Sequence, residues 1–115
     1  MKKRILIFIV LTILLVLSGC GKPADLSDSA YEIGLAALES IDEYLNKEID
    51  YDTLASRLSN NLRYLKSDKC DGRADQSIST YITITSHNAL MKETGNGTIA
   101  EIEESRNNLA KVLGK

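Results

Sequence analysis

The sequence predicts an all-α fold, a small up-down bundle of about four amphipathic helices that follows an N-terminal signal segment. Apolar residues recur at helical spacing in four segments, turn or capping residues separate those segments, and 115 residues suffice for one small domain. The net charge of −2 argues against a general nucleic-acid binder. A single histidine excludes a metal site built from several histidines, and we expect no metal.

The N-terminal residues have the pattern of an export signal. Lys2, Lys3 and Arg4 precede thirteen uncharged residues, 5–17, in which Thr12 is the only polar side chain. As a helix this stretch would be about 20 Å long, which is short of the roughly 30 Å hydrocarbon core of a bilayer. Its length is therefore typical of the apolar region of a signal peptide.

The next residues, Leu17-Ser18-Gly19-Cys20, resemble the lipobox of bacterial lipoproteins. The resemblance implies cleavage between Gly19 and Cys20 and a covalent diacylglycerol on the Cys20 sulfur, with palmitate among its acyl chains. It also implies that the chain is anchored by this lipid at the extracytoplasmic face of a bacterial cell membrane. The alternative is an uncleaved N-terminal anchor in which the cysteine occurs by chance. We expect no other cofactor.

The predicted chain has three parts: a cleaved signal peptide at 1–19, lipidated Cys20 with a short tether at 20–26, and a helical domain at 27–115. Cleavage would leave 96 residues with 11 basic and 16 acidic side chains, a net charge of −5. Because the tether is short, we expect the domain to lie close to the membrane surface.

The first two helices are predicted from their caps and apolar stripes. The first helix lies near 28–46, and either Ser27 or Ser29 can cap its N-terminus. The second helix follows Asp50, its predicted cap, and ends near Lys66. Its apolar stripe consists of Tyr51, Leu54, Ala55, Leu58, Leu62 and Leu65.

The third segment allows two interpretations. Ile78, Ile82 and Ala89 belong to a helical stripe, whereas the β-branched, alternating residues 81–85 are also typical of a strand. Because the sequence contains no second candidate strand to pair with it, we predict a helix over about 75–93.

A fourth helix is predicted after the breaking sequence Gly95-Asn96-Gly97. Thr98 and Glu101 match a capping box at its start, and Gly114 suits its end. Short connections between helices of similar length favour antiparallel neighbours.

Charge is unevenly distributed between the first two helices. Residues 25–52 carry nine acidic side chains and one lysine, whereas residues 53–74 carry five basic and two acidic side chains. One interpretation is mutual complementarity across a hairpin, with the remaining charges solvated. The other is a partner-binding surface, for which the candidate residues are Glu32, Glu39, Glu43, Arg57 and Arg63.

The remaining reactive side chains do not form a recognisable catalytic motif. Cys70 would be a free thiol once Cys20 is acylated, and His87 lies 17 residues further along. A nucleophilic pair would need the two side chains in contact, and neither an orienting residue nor an oxyanion motif accompanies them.

Of the five tyrosines, four lie on or beside apolar stripes, which favours packing against the core.

We therefore expect a non-enzymatic binding module that contacts another envelope protein, with no role in nucleic-acid binding. Two alternatives remain open. One is an exclusion or immunity lipoprotein of a mobile element, and the other is a small-ligand-binding lipoprotein, which would need a cavity of about 300 Å³ or more.

Overall fold

A computed structural model describes residues 22–67 and 72–115, and it confirms the all-α prediction. The described ranges contain helices and turns but no strand. The predicted signal peptide, the lipidation site at Cys20 and the thiol of Cys70 lie outside these ranges. The four helices are α1 (Asp28–Leu45), α2 (Tyr51–Ser67), α3 (Arg73–Glu93) and α4 (Ile99–Val112).

The helices run up and down, so that α1 and α3 are parallel and α2 and α4 are antiparallel to them. At the start of α1, the backbone N–H of Ser27 donates to Asp75 Oδ1 of α3 over 3.0 Å. At the end of α1, the hydroxyl of Tyr44 donates to Glu93 Oε2 of α3 over 3.2 Å. We call these ends of the bundle the Ser27 end and the Tyr44 end.

Side-chain contacts fix the two antiparallel helices in register. Arg57 of α2 forms a salt bridge with Glu43 of α1. Arg106 of α4 binds Asp42 of α1 in a bidentate arrangement, with Nε–Oδ1 and Nη2–Oδ2 distances of 2.8 and 2.9 Å. These hydrogen bonds raise the pKa of the Arg106 guanidinium above its ordinary value.

The helices α1 and α3 form the centre of the bundle. Each contacts the other and both outer helices, whereas the Cα atoms of α2 and α4 do not approach within 8 Å of each other. The absence of a side chain at Gly34 allows this close packing of α1. A Cβ atom there would lie 2.6 Å from Leu113 Cδ2 and 3.4 Å from Ile78 Cδ1.

The core is built mainly from aliphatic side chains. Ile41, Leu58, Ile78, Ile82 and Leu109 are fully buried, and burying each such side chain favours folding by about 1.5–3 kcal/mol. The expectation for the tyrosines is confirmed: Tyr44 is buried and Tyr64 is exposed. The other three pack at the edge of the core: Tyr31, Tyr51 and Tyr81.

The ambiguous segment 81–85 is helical, as predicted. Ile82 and Thr85 are fully buried and lie on the stripe that faces the rest of the bundle. The threonine hydroxyls, which would otherwise compete with the helix, donate to carbonyls one turn earlier. Thr83 Oγ1 binds the oxygen of Ser79 over 2.9 Å, and Thr85 Oγ1 binds that of Tyr81 over 2.7 Å.

The helix starts agree with the predicted caps. Ser27, rather than Ser29, caps α1, since its hydroxyl accepts from the N–H of Ala30 over 3.2 Å. Asp50 Oδ1 accepts from the N–H of Thr53 over 2.8 Å at the start of α2. Thr98 caps α4 and accepts from the N–H of Glu101 over 3.3 Å.

Three helix ends share the same backbone hydrogen-bond pattern, the Schellman motif. In each motif the residue after the cap has a positive φ, and the three residues are Lys47 (63°), Gly95 (85°) and Gly114 (76°). The N–H of Glu48, one residue beyond Lys47, donates to the carbonyl of Glu43 over 2.8 Å. Lys47 is thus a side-chain-bearing residue in a conformation that favours glycine.

We predict that Lys47→Gly stabilises the protein by about 1 kcal/mol, because glycine removes the steric cost of the left-handed conformation. Lys47→Ala is the matched control, since it removes the charge but keeps the Cβ atom. Chemical denaturation should show an increase in the free energy of unfolding for Lys47→Gly alone. Equal stability of the two variants would contradict this explanation.

We also predict strong coupling between Gly34 and Leu113. Gly34→Ala alone should force Leu113 to move, at a cost of about 1–3 kcal/mol that opposes a helix-propensity gain of about 1 kcal/mol. In a Leu113→Ala background the added methyl group has room, and only the gain should remain. A double-mutant cycle in urea measures the coupling energy, and simple additivity of the two substitutions would refute the close contact.

Candidate functional site

The strongest candidate site is a groove of about 340 Å³ between α1 and α2, which we call the α1/α2 groove. The small side chains of Ala36 and Ser40 lie one turn apart on α1 and leave space beside α2. The groove is lined by Ala36, Glu39, Ser40, Glu43, Arg57, Asn60 and Asn61. Three of these seven residues belong to the partner surface expected from the sequence.

The charged part of the groove is a salt bridge between its two walls. Arg57 Nη1 lies 2.7 Å from Glu43 Oε2, and the two side chains are 44% and 26% exposed. Such an exposed pair contributes at most about 1 kcal/mol to stability. This salt bridge uses one of the five N–H donors of the Arg57 guanidinium. Glu39 is exposed on α1, one turn before Glu43.

Asn61 gives the groove an unusual chemical feature. Its Nδ2 atom is buried and has no hydrogen-bond partner among the described residues. A buried donor without a partner costs about 1–3 kcal/mol, because it has lost its water without gaining another acceptor. Because Asn61 lines the groove, a rotation of its amide toward the groove would let this donor reach an acceptor on a bound molecule and remove this cost.

The other two residues of the expected partner surface lie outside this groove. Glu32 is exposed nearer the start of α1, and Arg63 is exposed further along α2. The structure therefore brings together Glu39, Glu43 and Arg57, and it leaves Glu32 and Arg63 as separate surface charges.

A second groove, of about 410 Å³, lies at the Tyr44 end and was not anticipated from the sequence. Residues of the α1–α2 turn meet Lys92 and Glu93 of α3 and Ile99 of α4 there. The ammonium of Lys92 lies 5.6 Å from the centre of the Tyr44 ring. Burial raises the pKa of Tyr44, and the neighbouring Glu93 carboxylate adds to this effect.

The structure places only one of the two reactive side chains discussed in the sequence analysis. His87 is exposed on α3, and Cys70, the other residue of the nucleophilic pair considered above, lies outside the described residues. Across 22–67 and 72–115, no three histidine, cysteine, aspartate or glutamate side chains are grouped so that they could bind a metal ion. None of the four described helices is long and apolar enough to cross a membrane.

Comparison with known proteins does not identify a family for this chain. No protein-family model, curated protein or solved structure matches this chain.

The unpartnered amide can be tested by stability measurements on two neighbouring asparagines of α2. Asn60→Ala and Asn61→Ala give the same gain in helix propensity, up to about 0.7 kcal/mol. Only Asn61→Ala also removes the buried donor, so it should stabilise the protein by about 1 kcal/mol more than Asn60→Ala. Urea denaturation of both variants measures the difference. Equal gains would show that Asn61 Nδ2 is satisfied in solution.

Proposed function

We propose that this chain is a lipid-anchored extracytoplasmic protein that binds another envelope protein through the α1/α2 groove and does not act as an enzyme. The observation that carries the proposal is the buried, unpartnered donor of Asn61 in a groove that also contains Arg57, Glu39 and Glu43. A protein keeps such a donor at a cost to its own stability, which is typical of binding sites.

The chemistry of the groove fits a polypeptide partner. Asn61 and Arg57 supply donors, and the carboxylates of Glu39 and Glu43 supply acceptors. A polypeptide main chain offers both carbonyl acceptors and N–H donors, so that one extended segment can use both kinds of group. The groove is open and its side chains are polar, so they can form hydrogen bonds of the kind found at the rim of a protein interface.

The start of the bundle supports a closely held anchor. Leu26 is only 2% exposed, and Lys22 Nζ donates to the carbonyl of Leu26 over 2.9 Å and pairs with Asp28 over 2.8 Å. The chain is thus packed on the Ser27 end from residue 22 onward. Two extended residues span at most about 7 Å, so a lipid on Cys20 would hold this end against the membrane.

Metabolic labelling tests the anchor. We expect labelled palmitate to enter the wild-type protein and the protein to fractionate with membranes. Cys20→Ala should abolish incorporation, whereas Cys70→Ala should not. Label that persists in the Cys20→Ala variant would contradict the proposed lipidation.

Site-specific photo-crosslinking in cells tests the groove. A photoreactive residue at Asn60 should give one defined crosslinked envelope protein. Glu39→Lys should weaken this crosslink severalfold, because it reverses a charge in the groove. The matched variant Glu103→Lys makes the same charge change at an exposed position of α4 and should leave the crosslink unchanged. Equal yields from the two variants would refute the groove as the binding site.

A further inference from the structure

We infer that the Ser27 end of the bundle docks on an anionic lipid surface, so that the helices stand upright on the membrane. This inference rests on the proposed lipid anchor and adds to it a specific surface of the protein and a specific lipid chemistry. It is based on the distribution of charge between the two ends of the bundle.

The half of the described structure nearest the Ser27 end is basic. It comprises residues 22–36, 60–67, 72–83 and 107–115, with six basic and four acidic side chains and a net charge of +2. The other half, residues 37–59 and 84–106, has four basic and ten acidic side chains and a net charge of −6. In the sequence between α2 and α3, Asp68, Lys69 and Asp71 reduce the charge on the basic side to +1.

Most of the basic side chains lie at the rim of the Ser27 end. Lys66 is in the last turn of α2, Arg73 begins α3, Lys111 is in the last turn of α4, and Lys115 follows it. All four residues are exposed. Lys22, which lies two residues after Cys20 in the sequence, belongs to the same end of the bundle, since it pairs with Asp28 at the start of α1.

Two of the acidic side chains at this end are already engaged. Asp75 is 5% exposed, and its Oδ1 accepts from the N–H of Ser27. Asp28 pairs with Lys22 over 2.8 Å, and this pairing lowers the pKa of Asp28. Asp25 is exposed before the start of α1, and Glu32 is exposed one turn after Asp28 on that helix. The Asp28–Lys22 pair leaves the net charge unchanged, whereas the burial of Asp75 withdraws one acidic side chain from the surface that would face the lipid.

The short distance between the Ser27 end and the bilayer would allow the basic side chains to interact with lipid headgroups. A tether of about 7 Å would keep Lys22, at the Ser27 end of the bundle, within one Debye length, about 8 Å, of the lipid headgroups. Within that range each lysine or arginine favours association with an anionic surface by about fivefold. The acidic Tyr44 end would be repelled, and α1 alone places it about 27 Å further from the bilayer. Attraction and repulsion thus favour the same upright orientation.

The test uses the lipidated mature protein in vesicles of phosphatidylcholine alone or mixed with phosphatidylglycerol. In a Cys70→Ser background, a spin label is placed at Ser29, near the Ser27 end, or at Asn96, near the Tyr44 end. A lipid with a paramagnetic headgroup reports the proximity of each label to the bilayer. We expect phosphatidylglycerol to increase relaxation of the Ser29 label but not of the Asn96 label, and high salt to reverse the increase.

A matched pair of double variants identifies the charges responsible. Lys66→Gln with Lys111→Gln should lower the ratio of docked to undocked protein by roughly 20- to 30-fold in the mixed vesicles. Lys47→Gln with Lys92→Gln removes the same charge at the Tyr44 end and should leave docking intact or strengthen it.

The outcomes separate this inference from the proposed function. A lipidated protein whose Ser29 label relaxes equally in both kinds of vesicle would overturn the docking surface alone, since the tether would then suffice. Equal losses in the two double variants would also overturn it, because the effect would depend on total charge. A chain that incorporates no palmitate would overturn the anchor and this inference together.

Discussion

The close approach of α1 to α3 and α4 at Gly34 is the constraint on which the rest of the bundle depends. Because position 34 has no side chain, Leu113 and Ile78 fill the space beside the α1 backbone. This places α1 and α3 together at the centre and leaves α2 and α4 on opposite flanks. One wall of the α1/α2 groove is α1 itself, so its position follows from this arrangement.

Local features of the sequence were sufficient to predict the helices. Caps such as Asp50 and Thr98 act on backbone groups two or three residues away, so their effect can be predicted without knowing the tertiary fold. The helix over 81–85 was harder, because its residues also suit a strand. Because no second strand in the sequence can pair with this segment, a helix is the better prediction, and the burial of Ile82 and Thr85 gives the physical reason.

The candidate site could be predicted only in part. Glu43 and Arg57 lie on consecutive helices, so a hairpin was enough to anticipate their complementarity. The contacts of Tyr44 with Glu93 and of Asp42 with Arg106 span 49 and 64 residues, and they depend on which helices become neighbours. The buried donor of Asn61 is also invisible in the sequence, since an asparagine on a polar helix face ordinarily remains in water.

The threonine-rich part of α3 has a consequence for the unfolded chain. Its threonine hydroxyls bind carbonyls one turn earlier, and Ile82 is buried in the core, only while the bundle is assembled. Once the bundle opens, residues 81–85 form an alternating β-branched segment without charge or proline, which is the composition that promotes cross-β association. Global unfolding therefore exposes a segment that is prone to aggregation, and the packing that creates the fold also protects the protein from forming β-rich aggregates.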